Sequence, residues 1–366
     1  MKTNQLILAV AALAVFASCS NDNLKVTETV DNEIGFNTVT RMATRANDAI
    51  ITGTAYGTDN TFKVWGWQSE AADFSEFADN DASNFMSNLT IEWTKGRDNS
   101  RAEAWRNAEK YYYWPYTGKI SFLAIHPSTV APTTTGWDAT NDKPQATIAD
   151  YTIAAGNKTT DLMFANNAGV RRADALPMVF SHALSQIQFR VRTNDDYTAD
   201  GLEFKVESVN INNIDLSGDV AYANDAITWS DNATQTANWE YKVATQVVNY
   251  HDADADADLY GEAVVMVPQP ANVLVIDTPA VGTPGDPGYV PATYSDDVQT
   301  TLTIGYTMKQ GTNAAITGTV TVPAPQEWQA GKRYLYTLNF KLNEITFNPS
   351  VTDWVDVAVA TINILD

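Results

Sequence analysis

In Ser185-Gln186-Ile187-Gln188-Phe189-Arg190-Val191-Arg192, polar and apolar side chains alternate without a break from Gln186 onward. A period of two is that of an extended strand with one buried face, so Ile187, Phe189 and Val191 are expected inward and Gln188, Arg190 and Arg192 outward. The same grammar recurs on both sides. Upstream lie Phe62 to Trp67, Leu89 to Trp93, Tyr111 to Pro115 and Ile120 to Ile125. Downstream lie Leu202 to Ile211, Ala263 to Val267, Val273 to Ile276, Thr301 to Met308, Ile316 to Val322 and Tyr334 to Leu342. Each run is short and bounded by turn-forming residues. Ser69 to Phe77 and Ser100 to Lys110 read equally as short helices or irregular loops. The fold class implied is all-β, with antiparallel sandwiches, one per half.

Outward from the opening stretch, the polar link Ala165 to Ala175 suggests a boundary, dividing an N-terminal sandwich, 46–178, from a C-terminal one, 179–366. Within Leu202 to Ile211 the parity slips: Phe204 and Val206 are even, Val209 and Ile211 odd. A bulge near Ser208 restores one buried face. Val355, Val357 and Val359 give way in the same manner to Ile362 and Ile364, which predicts two short strand pieces. In Tyr111-Tyr112-Tyr113-Trp114-Pro115 a sugar-stacking platform competes with a strand buried on both faces, and large aromatics favour the core.

At the N-terminus, Lys2 precedes a short apolar run, Leu6 to Ala17, and Phe16-Ala17-Ser18 leads into Cys19, the sole cysteine. The run is shorter than the roughly 20 apolar residues of a spanning helix, which makes 1–18 a secretory signal. It resembles bacterial lipoprotein signal peptides, in which the cysteine receives a diacylglyceryl group and the leader is cut before it. A plain signal with a chance cysteine is the alternative. Two or three acyl chains, each buried CH₂ worth about 0.8 kcal/mol, would anchor Cys19 stably. Residues 19–45 read as a polar tether carrying one short strand at the apolar cluster Ile34-Gly35-Phe36, together with the arginines of Thr40-Arg41 and Thr44-Arg45-Ala46. Those arginines offer a protease site or belong to an ordinary linker.

Removing residues 1–18 takes away one of 23 basic residues and none of 44 acidic ones, leaving a net charge of −22. Nucleic acid is thereby disfavoured as a partner. A single cysteine leaves no intrachain disulfide, so stability rests on packing. His126, His182 and His251 lack metal-ligand spacing, Ser181 and His182 point to opposite faces of a strand, and no GxSxG elbow or phosphate-binding glycine loop occurs. No catalytic residue, structural metal or cofactor is expected. Asp252, Asp254, Asp256 and Asp258 place oxygen ligands at alternate positions, a weak calcium candidate. Ala257 stands where an EF-hand loop needs glycine and Ala263 where it needs glutamate, which favours a solvated acidic loop. Pro279 to Pro291 is an extended insertion, a contact loop or a tolerated surface loop.

Taken in order, Thr44-Arg45-Ala46, Tyr112-Tyr-Trp-Pro115, Ile120-Ser-Phe-Leu-Ala-Ile-His-Pro127, Asp161-Leu-Met-Phe-Ala165, Phe180-Ser-His-Ala-Leu-Ser-Gln-Ile187 and Trp328-Gln-Ala-Gly-Lys-Arg-Tyr-Leu-Tyr336 resemble the landmarks of the fimbrillin-like lipoproteins of Bacteroides and relatives. That resemblance implies two transthyretin-like sandwiches in a non-enzymatic pilus subunit or accessory protein. It implies export to the outer membrane as a lipoprotein, then cleavage by an arginine-specific protease after the position matching Arg45, before Ala46; Arg41-Met42 is the second candidate. It further implies other pilin subunits as partners through strand exchange, with a host or bacterial surface ligand for the fimbrium. Val355 to Val359 and Ala360 to Leu365 are candidate donor strands or closing strands of their own domain. The rival reading is a permanently anchored surface lipoprotein that binds glycan.

Overall fold

The computed structural model describes residues 32–40, 56–71, 73–153, 160–171, 176–230, 236–241, 244–269, 276–278, 293–294, 300–324, 327–341 and 345–353. In the first half, strands run at β1 (Phe36–Thr40), β2 (Phe62–Ser69), β3 (Met86–Thr94), β4 (Ala104–Arg106), β5 (Lys119–His126), β6 (Thr134–Asp138), β7 (Lys143–Thr152), β8 (Met163–Val170) and β9 (Leu176–His182). The second half begins with β10 (Ser185–Thr193), β11 (Leu202–Asp215), β12 (Ser217–Ala223), β13 (Ala226–Ser230), β14 (Thr236–Tyr241), β15 (Gln246–Val248) and β16 (Asp258–Met266). It continues with β17 (Ile276–Thr278), β18 (Thr293–Tyr294), β19 (Thr301–Gln310), β20 (Ile316–Pro323), β21 (Lys332–Phe340) and β22 (Ile345–Asp353). The fold is all-β: among the described residues the only helical turn is a 3₁₀ turn at Asp254–Asp256. Ser69 ends β2, the described residues of 70–77 form bends and a turn, and Ser100 to Lys110 carries the short strand β4 between loops.

The N-terminal strands close into a barrel in the order β1, β4, β3, β2, β5, β8, β9. Closure depends on a parallel pair, Phe36 opposite Leu176 through Thr40 opposite Phe180, in an otherwise antiparallel ring. Around the second core lie the sheets β16-β10-β21-β22 and β14-β11-β19-β20, with β15 beside β11. A further sheet, β13-β12-β7-β6, draws one hairpin from each half, and the expected division at 178/179 falls inside β9, a barrel strand.

β5 explains how the two cores meet. Ile120, Phe122 and Ala124 point into the barrel, whereas Leu123 and Ile125 join the core of the second half. Trp65 and Trp67 of β2 do the same while Phe62 and Val64 face the barrel. The strands between the cores are therefore buried on both faces, which produces nearly continuous apolar runs instead of alternation. The turn into β5 needs Gly118: at φ +88 its missing Cβ would lie 2.3 Å from the Ser69 carbonyl.

The alternation at 185–192 needs a correction. Ile187, Phe189 and Val191 are fully buried as expected, but Gln188 and Arg192 are buried too. β10 is central, between β16 and a parallel β21, and the loop before β16 covers its polar face. In β11 the register with β19 shifts between Val206 and Ser208, where the parity slip places a bulge. Tyr111 to Pro115 is not a strand buried on both faces. Trp114 alone is buried, and Tyr113 is 45% exposed.

Candidate functional site

Residues 32–40 form the most distinctive local arrangement, because the short strand expected within the tether is a wall of the barrel. Its alternation explains why. Ile34, Phe36 and Thr38 are buried, with Phe36 edge-on to Phe62 at 5.9 Å and to Phe122 at 5.8 Å. Backbone pairing holds the same stretch. Ile34 N donates to Tyr112 O at 2.8 Å, Trp114 N to Asn32 O at 2.9 Å, and Leu176 N to Gly35 O at 2.8 Å. The far edge is short, with Phe36 opposite Trp105 in β4.

Glu33, on the opposite parity, is only 2% exposed. Arg101 Nη1 donates to its Oε2 at 2.6 Å, and Arg106 Nε lies 3.4 Å from its Oε1. Partial burial works against the charge of Arg101, yet Glu33 and the neighbouring phenols outweigh it and raise its pKa. Arg101 also stacks 4.2 Å from the centroid of Tyr111 and donates to the Tyr113 hydroxyl at 3.2 Å. Arg106 is 5% exposed, and its Nη1 has no hydrogen-bond partner among the described residues. A carboxylate is thus clamped between two guanidiniums beneath an aromatic cover, an arrangement that fixes register as well as charge. The stretch Tyr111 to Trp114 serves this cover and the barrel wall.

At the barrel end, Tyr56, the first described residue after 41–55, stacks on Phe180 at 5.1 Å and hydrogen-bonds His126 Nδ1 at 2.7 Å. Burial lowers the His126 pKa to about 4. His182 Nδ1 pairs with Asp161 Oδ2 at 2.6 Å and ties β9 to the entry of β8. Ser181 faces away from it, partly exposed, so the two form no nucleophile and base pair.

Cys19, Arg41, Met42, Arg45 and Ala46 lie outside the described residues, as do Val355 to Leu365 and all of Pro279 to Pro291. Of the four aspartates, Asp254 meets Arg192 Nη2 at 2.5 Å, Asp258 accepts from Asn249 Nδ2 at 2.7 Å and lies 3.3 Å from His251, and Asp252 accepts from Tyr250. Among the described residues no three His, Cys, Asp or Glu side chains gather as a metal group. Sequence reasoning missed Glu33, Arg101 and Arg106. The available signal was an acid directly before the apolar cluster at 34–36 and two arginines five positions apart.

A family model described as fimbrillin-like matches residues 40–354. No curated protein matches. Among solved structures, a fimbrial protein from Bacteroides vulgatus is 18% identical with a TM-score of 0.59, covering 89% of this chain and 100% of its own, which shows a shared fold. A candidate cell adhesion protein from Bacteroides ovatus is 16% identical with a TM-score of 0.46, over 89% of this chain and 98% of that one.

Proposed function

Since this chain belongs to the fimbrillin-like family, we propose that it is a pilus subunit or accessory protein whose barrel is closed provisionally by its own N-terminal segment. The family is structural and adhesive, not enzymatic. The observation that carries this reading is β1: a wall strand of the barrel lies on the N-terminal side of Arg45. In this reading, Cys19 carries the lipid through which the precursor reaches the outer membrane. Cleavage between Arg45 and Ala46, or between Arg41 and Met42, frees β1 from the rest of the chain.

Losing β1 would expose unpaired edges on β4 and β9 and the apolar wall behind Phe36. A strand from the next subunit would satisfy both. Burying two side chains such as Ile34 and Phe36 contributes about 3–6 kcal/mol in total, and the restored ladder of main-chain hydrogen bonds adds to it. Outgoing and incoming strands gain similar amounts, so the direction of exchange follows from the cut, which makes loss of the first strand irreversible.

Mass spectrometry of the N-terminus of protein recovered from intact cells tests this. The expected chain begins at Ala46 and is found in detergent-resistant ladders. A chain that begins at acylated Cys19 throughout would overturn the exchange mechanism and favour a permanently anchored lipoprotein that binds glycan.

A further inference from the structure

Trp229 lies on β13, the edge strand of the sheet β13-β12-β7-β6. Its indole Nε1 donates to Ala183 O at 2.7 Å, in the turn between β9 and β10. Tyr151 meets the ring edge-on at 6.0 Å, and a side chain at Gly218 would press within 3.2 Å of it. The indole is therefore held in one place although it is only partly buried. The loop Glu327 to Ala330 lines the same cleft and is fixed to the same turn. Gly331 N donates to Leu184 O at 2.9 Å, Ser185 Oγ to Gln329 O at 2.9 Å, and Gln329 N to the Tyr334 hydroxyl oxygen at 2.8 Å. Two walls pinned to one turn give a preformed cleft of about 320 Å³, near the lower end of the roughly 300–1,000 Å³ of small-ligand sites.

The polar groups of this cleft suit hydroxyls. Gln329 Nε2 donates to Glu327 Oε2 at 2.9 Å, so an amide and a carboxylate stand side by side, both exposed. Ser217 and Ser230 add two hydroxyls to the lining. Mixed donors and acceptors match the vicinal hydroxyls of a sugar, and the C–H face of a pyranose packs on the electron-rich face of an indole. A cationic ligand would use the carboxylate and the ring alone, leaving the amide and both hydroxyls idle. We propose that the cleft binds one neutral pyranose unit of a surface glycan, with Trp229 as the stacking platform and Glu327 and Gln329 as the hydroxyl-binding pair. Charge selects the neutral class: Glu327, in a chain of 44 acidic and 23 basic residues, repels uronates and sialic acid. This site goes beyond the assembly reading and does not depend on it, because no residue of the cleft belongs to a barrel strand.

The experiment is isothermal titration calorimetry on the uncut chain. The probes are oligosaccharides of glucose, galactose, mannose and N-acetylglucosamine, with oligogalacturonate and trilysine as charged counterparts. At least one neutral oligosaccharide should bind with a Kd of about 1 mM or tighter, and oligogalacturonate at least about ten-fold more weakly. Glu327→Ala, at an exposed position, should keep the melting temperature and weaken binding about ten-fold, the scale of a lost hydrogen bond to a charged group. Trp229→Ala should abolish binding; it also removes the bond to Ala183, so Glu327→Ala decides the matter if that variant does not fold. No binding of any neutral oligosaccharide at about 10 mM would overturn the assignment. So would undiminished binding by Glu327→Ala, which places the sugar elsewhere, and so would binding of trilysine alone, which makes the cleft a cation site. Oligogalacturonate bound as tightly as the galactose oligomers would overturn the neutral class.

Discussion

Among the described residues, each half of the molecule contains one parallel strand pair among antiparallel ones, and the two seams differ in what lies beyond them. In the second half, β10 runs beside β21 from Gln186 opposite Arg333 to Thr193 opposite Phe340, and β21 is backed along its full length by β22. In the barrel, β1 runs beside β9 from Phe36 to Thr40, and its other edge meets β4 through Phe36 and Trp105 alone. Both seams bury aromatic side chains, so burial does not distinguish them. The difference is extent and connectivity: β21 is paired on both sides from Arg333 to Phe340, whereas β1 is a short strand with one residue paired on its far edge, followed by a segment containing two arginines. One seam is built to stay and the other to be replaced, and each prediction below tests that contrast.

The largest effect is expected from the side chains in the seams. Phe36→Ala should destabilise the uncut protein by about 3–5 kcal/mol, and Leu338→Ala, in β21, by about 2–5 kcal/mol. In protein cut at Arg45 and freed of its N-terminal segment, the cost of the first should vanish while that of the second persists. Denaturant unfolding of both forms supplies the comparison. A cost below about 1 kcal/mol for Phe36→Ala in the uncut chain would remove β1 from the list of structural strands.

Next comes the clamp. Arg106→Met leaves the buried Glu33 with Arg101 as its only cation and should cost about 3 kcal/mol, whereas Glu33→Gln added to it should recover much of the loss. A double-mutant cycle measures the coupling. Coupling near zero would reduce the cluster to packing.

Acid should weaken the barrel through His126. Burial lowers the folded pKa of this imidazole to about 4, against an ordinary value near 6.5 when unfolded. Between those values the unfolded chain binds the proton and the folded one does not, so stability is complete above about pH 6.5 and falls towards pH 4, by at most about 3 kcal/mol. Tyr56, Asp161 and His182 face the same region, and the first donates or accepts at His126 Nδ1. His126→Asn should flatten the profile over that window, and an unchanged slope in the variant would assign the acid sensitivity elsewhere.

These residues also mark what the sequence makes legible. Short runs with turn residues between them reveal the all-β class, and the parity slip at Ser208 locates a real register shift, because one buried face dictates period two. The second buried face of β10 is not legible: Gln188 and Arg192 are polar yet buried, Arg192 beneath the loop at 249–258. The partner of Ile34 to Phe36 is equally hidden, since parallel pairing with Leu176 joins residues 140 positions apart without a turn between them. Charge clusters suffer most. Glu33 and Arg106 are ordinary surface residues in any local window, and only barrel closure brings them together.

The smallest effect concerns Asp254, where a candidate ligand became an ion-pair partner. Its carboxylate meets Arg192 at 2.5 Å with its side chain 32% exposed, and Arg192 keeps the His251 carbonyl at 2.7 Å if the acid is lost. Asp254→Ala should therefore cost no more than about 1 kcal/mol. Asp252 and Asp258 are held by Tyr250 and Asn249, so forming a calcium site would require breaking these contacts as well as the pair with Arg192. Millimolar calcium should accordingly leave the melting temperature unchanged in both proteins. A rise that Asp254→Ala abolishes would show that the loop binds the ion in preference to β10, and the second seam would then owe part of its permanence to calcium.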